Sequence, residues 1–409
     1  MKKGNEYKIS IFLRIFGIIV TMAIQGSCPL VFNSCVSPEN ENRFIALLKM
    51  LPASAGEDGC FFLIDYEILW DKLGVEFPSG NVSQTELYAS VAKKTMEGFN
   101  PDAYPINYSS FYTGWGLDEG LQKIWETPIQ NKYVGYDITN IDAEINNIIR
   151  TQIPTTLPGT TDELIIPILN SKVAAIGHFD PVATQNAVNN RDEWPDWAVE
   201  NYSSESYRNI TIHNWLNGTD DHPGDAFLPP NLDGSGHAMP FAVSSNNLYV
   251  GDSVPAIESM IDSKLGKSDS LADLDEYATV AEALHGLGAY VAIIGDESWT
   301  NAIWGFYRGE NKIVDFLTFG TGYARDENGL YIALVVVHDS VEKAEANVDS
   351  LPKRVSEFMF YTFDEPGEAI YDTQIYNEGN VLLAKLYTDD PSLWSWWLQS
   401  GGGFLYHGE

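Results

Sequence analysis

The sequence has 409 residues, of which 57 are Asp or Glu and 24 are Lys or Arg, so the formal net charge is −33. Hydrophobic residues make up 44% and aromatic residues 12%, which supplies enough apolar surface for a core and excludes a wholly disordered chain. A chain this acidic argues against a nucleic-acid partner, because binding phosphate needs a basic face. It also disfavours adhesion to an anionic membrane by charge alone.

Residues 1–27 have the pattern of an export signal. Lysines at positions 2, 3 and 8 precede an apolar run over residues 9–24 that only Arg14 interrupts. The uninterrupted part, residues 15–24, fits the apolar core of a signal peptide and is too short to span a bilayer. The alternative is an uncleaved N-terminal membrane anchor.

A lipidation motif follows the apolar run. Gly26 and Ser27 stand immediately before Cys28, as in a bacterial lipoprotein box, although Gln25 takes the place of the usual aliphatic residue. We expect cleavage before Cys28 and a lipid on this residue, which would hold an exported protein at the outer face of the cytoplasmic membrane, in the periplasm or at the cell surface. Cleavage would remove four basic side chains and one acidic one, so the net charge would deepen from −33 to −36.

Two further cysteines, Cys35 and Cys60, complete the set of three. In an oxidising compartment they can pair as a disulfide that closes a loop near the start of the fold. Cys60 also precedes Phe61-Phe62-Leu63, which is equally typical of a small buried thiol. No C-x-x-C spacing occurs, so the sequence does not predict a zinc ribbon or a thioredoxin-type site.

The first predicted module follows a polar tether, residues 28–42, and covers residues 43–150. Its predicted elements are helices over residues 43–50, 66–73 and 85–97 and a buried strand over residues 60–65. Residues 151–162 are rich in Thr and Pro, which is typical of a linker or a long loop.

Residues 163–300 form the second predicted module. Ser253 is placed to cap an amphipathic helix, and Ser270 with Asp273 has the spacing of a capping box at the start of the next helix. The other predicted elements are strands over residues 172–179, 209–215 and 289–294, a helix over residues 181–189, and a hairpin that joins residues 237–243 to residues 248–251.

Residues 301–409 repeat this order of hairpin and helix. Asn328-Gly329, the strongest turn signal in the chain, predicts a hairpin within residues 313–338. Ser340 is placed to cap the next helix, and a second hairpin is predicted within residues 370–387. These patterns predict an α+β fold with two or three modules of antiparallel sheet and helices packed on one face.

The order of several short motifs resembles that of an uncharacterised family of exported bacterial lipoproteins of unknown function. The motifs lie within residues 44–300, and their order rather than any single one is specific. They are Leu47-Leu48-Lys49-Met50-Leu51-Pro52, Ile64-Asp65-Tyr66 with Gly74, Val134-Gly135-Tyr136-Asp137, Ile176-Gly177-His178-Phe179-Asp180, Leu248-Tyr249-Val250 and Ser270-Leu271-Ala272-Asp273. The resemblance implies an extracytoplasmic α+β protein and supplies neither a substrate nor catalytic residues.

The sequence contains no complete catalytic signature. Gly251-Asp252-Ser253 resembles the nucleophile motif of GDSL-type hydrolases, but the Asp-x-x-His partner of those enzymes does not occur late in the chain. His213, His222 and His237 accompany acidic residues without the spacing of a zinc motif. We therefore assign no catalytic residue from the sequence.

An acidic, irregular region is the candidate metal site. Asp220, Asp221, Asp225 and Asp233 lie on polar turns, and calcium prefers oxygen ligands of this kind. The stretch does not match an EF-hand loop. Calcium is therefore the candidate cofactor, and a solvated surface loop is the alternative.

Three tryptophans near the C-terminus are the candidate ligand site. Trp394, Trp396 and Trp397 offer flat apolar faces that can stack on sugar rings, whereas packing of the C-terminal segment into the core is the alternative. We expect a non-catalytic protein that binds an unknown protein or glycan. The alternative is an extracytoplasmic hydrolase with a metal or carboxylate site.

Overall fold

A buried apolar strand lies near the centre of the fold. β1 (Cys60–Asp65) has all six residues buried, and it pairs antiparallel with β2 (Ile141–Pro154) on one side and β8 (Val291–Asp296) on the other. A short apolar run without alternation is typical of a strand that is covered on both faces. The computed structural model describes residues 42–57, 59–68, 140–154, 163–190, 202–215, 240–251, 253–299, 311–362, 370–388 and 405.

The described residues define the bounds of twelve strands and five α-helices, and residues 66–68 begin a further helix. Besides β1, β2 and β8, the strands are β3 (Glu163–Gly177), β4 (Tyr202–Tyr207), β5 (Ile210–Trp215), β6 (Phe241–Val243), β7 (Asn247–Val250), β9 (Thr318–Asp326), β10 (Gly329–Val337), β11 (Asp372–Glu378) and β12 (Val381–Tyr387). The helices are α1 (Arg43–Leu48), α2 (Pro181–Asn189), α3 (Val254–Lys264), α4 (Asp275–Gly286) and α5 (Val341–Thr362). Within the described ranges, no helix combines the length and the hydropathy needed to cross a bilayer.

All twelve strands join one antiparallel sheet in the order β11-β12-β10-β9-β8-β1-β2-β3-β7-β6-β5-β4. Most neighbours are close in sequence, but the pairing of β1 with β8 joins residues far apart in the chain. Each of the three predicted modules contributes strands to this sheet, which lies within one compact unit, Arg43–Glu409. The predicted α+β class is confirmed, and the division into modules stays a prediction.

Three helices share a core with one face of the sheet. α1 contributes Leu47 to this core, α3 contributes Met260 and α4 contributes Leu284, each with no exposed surface. On the sheet side, the ring of Phe61 lies edge-on to the ring of Tyr277 of α4, with centroids 5.9 Å apart. The amphipathic pattern that predicted α3 corresponds to its buried face, which includes Ile257 and Ile261.

Helix α4 approaches the sheet closely where β9 carries a glycine. A Cβ atom added at Gly320 would lie 2.3 Å from Val280 Cγ1 and 2.7 Å from Leu284 Cδ1, both on α4. Both distances are shorter than any van der Waals contact between carbon atoms. The absence of a side chain at this position therefore sets the distance between helix and sheet.

The structure confirms the predicted caps of α3 and α5 and the predicted turn between β9 and β10. Ser253 caps α3 by accepting a hydrogen bond from the Ala256 N–H at 3.4 Å, so its hydroxyl has a structural role. The Ser340 hydroxyl accepts one from the Lys343 N–H at the start of α5. Gly329 occupies the left-handed region, with φ of 135°, in the turn that joins β9 to β10.

Two of the differences between the predicted elements and the structure concern the start of α4 and the predicted linker. The capping box at Ser270 is present, but it opens a 3₁₀ turn, Leu271–Asp273, and α4 starts only at Asp275 because Leu274 is extended. Residues 151–154, predicted as the start of a linker or long loop, continue β2 and pair with β3. Pro154, which has no N–H group to donate, is the last residue of the strand.

Candidate functional site

Most of the site residues proposed from the sequence lie outside the described residues. These are Cys28, Cys35, Asp220, Asp221, Asp225, Asp233, Trp394, Trp396 and Trp397. Cys60 lies in β1 and is 2% exposed, and its pairing with Cys35 stays a prediction. In the part of the chain that the structure describes, no group of three or more His, Cys, Asp or Glu side chains is placed to hold a metal ion.

His213, one of the three histidines considered as zinc ligands, is a buried core residue. Its Nδ1 lies 2.9 Å from the Tyr202 hydroxyl, and its ring stacks on Phe241 with centroids 4.8 Å apart. Burial lowers the pKa of His213 to about 4, so the ring is neutral at pH 7. His222 and His237 lie outside the described residues.

The terminal strand β11 carries an exposed row of polar and aromatic side chains. Successive side chains of a strand alternate between its faces, so Asp372, Gln374, Tyr376 and Glu378 share one face. All four are exposed, and Tyr376 retains 41% of its accessible surface. This set, which we call the β11 row, places an amide and an aromatic ring between two carboxylates along about 20 Å of strand.

The neighbouring strand β12 provides a fixed base for the β11 row. Lys385, directly opposite Gln374, has its Nζ 2.8 Å from Asp326 Oδ2 and 4.6 Å from the centroid of the Tyr331 ring. The Tyr387 hydroxyl donates to the same Asp326 oxygen at 2.9 Å. The ammonium group of Lys385, beside the row, is therefore held by a local partner.

The protonation states of this ion pair follow from its contacts. Desolvation opposes the charge of Lys385, but the hydrogen bond and the charge of Asp326 outweigh it and raise the lysine pKa. Desolvation likewise acts to raise the pKa of Asp326, but the hydrogen bonds from Lys385, the Asn328 N–H and Tyr387 lower it overall. Both groups are therefore charged at neutral pH.

A second exposed tyrosine stands at the start of the same hairpin. Tyr371 is 48% exposed, and its hydroxyl donates to the backbone oxygen of Asn328 at 3.3 Å. Its ring centroid lies 6.2 Å from that of Tyr387. This contact ties the start of β11 to the turn between β9 and β10 and adds aromatic surface beside the row.

A group of charged side chains also gathers where β1 ends. Arg43 of α1 donates to Asp65 Oδ1 at 2.9 Å and forms a further ion pair with Glu67. The Asp65 side chain is 3% exposed, and its Oδ1 also accepts from the Ile68 N–H at 3.0 Å. Desolvation raises the pKa of Asp65, although the Ile68 N–H and Arg43 act to lower it. These contacts fasten α1 to the end of the central strand.

His178 lies at the end of the sheet where β2 begins. Its Nε2 lies 3.6 Å from Asp142 Oδ2, and its side chain is 86% exposed. The nearby Asp180 caps α2 by accepting from the Val182 and Ala183 N–H groups at 2.9 and 3.1 Å. Both acidic residues therefore have a local structural partner, and the histidine is open to solvent.

The β11 row was not singled out from the sequence, although its hairpin was. Alternation within Asp-Thr-Gln-Ile-Tyr-Asn-Glu shows that one face carries Asp, Gln, Tyr and Glu. That signal does not show that the strand lies at an edge. The edge position depends on the strand order, which only the structure supplies.

Comparison with known proteins does not assign the chain to a family. No protein-family model and no curated protein matches it. Two solved structures, crystal forms I and III of TP0453, are similar to it with sequence identities of 10% and 9% and TM-scores of 0.36 and 0.37. The alignments cover 88% and 87% of this chain and 97% of each TP0453 chain. A likeness at this level supports no inference about function.

Proposed function

We propose that this protein is exported, is anchored by a lipid on Cys28, and binds a protein or glycan partner without catalysing a reaction. The β11 row is the observation that carries the proposal, because it presents an exposed tyrosine on the terminal strand of the sheet. Tyrosine offers a large amphipathic contact surface at a small cost in side-chain entropy. The proposed binding surface is therefore the outer β11–β12 hairpin.

The rigidity of the hairpin supports this assignment. Lys385, Asp326 and Tyr387 form a hydrogen-bonded group beside the row, and Tyr371 ties the start of β11 to the neighbouring turn. A surface that is already ordered loses little conformational entropy when a partner binds. The exposed side chains of β11 are thus presented on a base that needs no rearrangement.

We further propose that the sheet is assembled from two or three antiparallel modules with helices on one face, attached to the membrane by residues 28–42. The common core of α1, α3 and α4 supports this packing.

Photo-crosslinking in the cells that produce the protein tests the binding proposal. A benzoylphenylalanine would replace Tyr376, and the matched control would carry it at Val182, an exposed residue of α2. We expect a discrete adduct with one cell-envelope component from position 376 and none from position 182. The same adducts from both positions, or none from either, would overturn the proposal.

Intact-mass analysis of the membrane fraction tests the anchor. We expect a mature chain that begins at residue 28 and carries the mass of attached lipid, and we expect Cys28→Ser to remain unprocessed. A mature N-terminus at any other residue, without lipid, would show that the anchor is absent.

A further inference from the structure

We infer that β11 accepts an extended, positively charged polypeptide segment as an additional strand of the sheet, along the edge of β11 that pairs with no described strand. This inference rests on the proposed binding function and specifies both the mode of binding and the chemistry of the partner.

The backbone of β11 provides the first part of the argument. β11 pairs with β12 along its whole length, from Asp372 opposite Tyr387 to Glu378 opposite Val381. Among the described strands it has no neighbour on its other side. Alternate N–H and C=O groups of an edge strand point outward, and an extended peptide can satisfy them by pairing.

Exposure of the side chains provides the second part. Five of the seven residues of β11 are exposed and the other two are half-buried, so most of its side chains are accessible to a partner. Val381–Tyr387, its neighbour, is mostly buried by comparison. A strand that is ordered on one edge and solvated along its length is a template for strand addition.

The charges of β11 and of the whole chain indicate the chemistry of the partner. Asp372 and Glu378 stand at the two ends of the row, and the chain as a whole carries a net charge of −33. A second copy of the chain would bring like charges together at this edge, which disfavours pairing between copies. A segment with Lys or Arg opposite these two carboxylates would instead gain attraction, and its residue opposite Tyr376 would pack on that ring.

The spacing fixes the motif of the partner. Side chains directly opposite each other on paired strands lie about 5 Å apart. The two basic residues should therefore be as far apart as Asp372 and Glu378, with aliphatic or β-branched residues at the intervening positions of the same face. The probe is a fluorescent peptide, Lys-Thr-Val-Thr-Val-Thr-Lys, flanked by glycines.

Fluorescence anisotropy with this peptide at low ionic strength measures binding. We expect saturable binding that weakens as salt is added, because salt screens surface charges. A peptide with Glu in place of both Lys should not bind. The Lys peptide should also fail to bind when it is N-methylated at the alternate residues whose backbone N–H groups would pair with β11.

Charge-reversal variants test the site. The double variant Asp372→Lys with Glu378→Lys should weaken binding about tenfold, which is the scale of two lost surface ion pairs with added repulsion. The matched control is Glu282→Lys, a charge reversal on the exposed face of α4. It should leave the affinity within about twofold of the original.

Hydrogen exchange distinguishes strand addition from adhesion by charge. Bound peptide should slow amide exchange within β11, because its outward N–H groups become hydrogen-bonded. Absence of binding, binding without such protection, or equal effects of the β11 and α4 reversals would overturn the inference. If the adduct at position 376 were still found in those cases, the proposed binding function would stand and only this mode of binding would fall.

Discussion

Replacing Gly320 with alanine tests how closely α4 packs on the sheet. The new Cβ would lie 2.3 Å from Val280 Cγ1 and 2.7 Å from Leu284 Cδ1 if nothing moved. Ordinary carbon–carbon contacts are about 3.5–4.0 Å, so one or both side chains must retreat by more than 1 Å. Neither side chain has exposed surface, so no solvent-filled space is available to receive it.

The magnitude follows from this overlap. Adding a methyl group to a well-packed core costs about 1–3 kcal/mol, and the higher end applies where stiff neighbours surround the site. Val280 is β-branched and lies on a helix, where one rotamer dominates, so it cannot turn away. We therefore expect Gly320→Ala to lower the free energy of unfolding by about 2–3 kcal/mol.

Urea unfolding of the purified protein, followed by tryptophan fluorescence, measures this loss. The matched control is Gly286→Ala at the end of α4, where an added Cβ meets nothing within 4 Å and stability should be unchanged or higher by up to about 1 kcal/mol. Val280→Ala should recover part of the loss when combined with Gly320→Ala. Equal stability of the Gly320 and Gly286 variants would refute the close packing.

Three other substitutions test separate parts of the structure. His213 has a pKa of about 4, below the unfolded value of about 6.5, so the unfolded state binds the proton first as the pH falls. Stability should then decrease by about 3 kcal/mol between pH 6.5 and pH 4. His213→Phe should make the urea midpoint depend less on pH across that window. An unchanged pH dependence of the midpoint would contradict the lowered pKa of His213. Arg43→Ala removes the guanidinium that pairs with the buried Asp65 carboxylate. It should lower the free energy of unfolding by about 2–3 kcal/mol. A double-mutant cycle with Asp65→Asn that shows no coupling would count against the ion pair. Asn209 has φ of 65°, which a β-branched residue adopts only with strain. Asn209→Val should therefore lower the free energy of unfolding by about 1–2 kcal/mol, and Asn209→Gly should not. Equal melting temperatures of the two variants would argue against the left-handed turn.

Local signals account for the elements that the sequence predicted well. Residues 60–65 form β1 with the predicted bounds because an unbroken apolar run between polar segments needs burial on both faces. The hairpin turns at Asn328-Gly329 and before Val381 depend on residues that tolerate positive φ, which are visible in any sequence. Caps such as Ser253 depend on a bond within three residues.

Strands with polar sequences could not be predicted in the same way. β4 (Tyr-Ser-Ser-Glu-Ser-Tyr) has no apolar alternation and forms a strand because it pairs with β5 at the sheet edge. β2 carries two asparagines and an arginine, and its length is set by its pairing with β1 and β3. In both cases tertiary pairing overrides local propensity.

The candidate site depended on information of the same long-range kind. Asp65 ends the buried strand that the sequence predicted, but its ion pair with Arg43 depends on the position of α1, which nothing adjacent to Asp65 in the chain indicates. The β11 row is a surface only because β11 ends the strand order, while the hairpin of β9 and β10 lies inside the sheet. A local pattern gives the face of a side chain, and the topology decides whether that face meets solvent.

The negative net charge of the chain bears on how the edge strand β11 avoids pairing with other copies. An exposed edge strand invites pairing with other chains, and proteins suppress this with charge, bulges or covering segments. β11 has carboxylates at both ends and belongs to a molecule with a net charge of −33, so two copies repel each other before their edges can meet. That repulsion does not act on a cationic segment, which is attracted by the same field. The acidity therefore permits the edge to remain open while restricting what can pair with it.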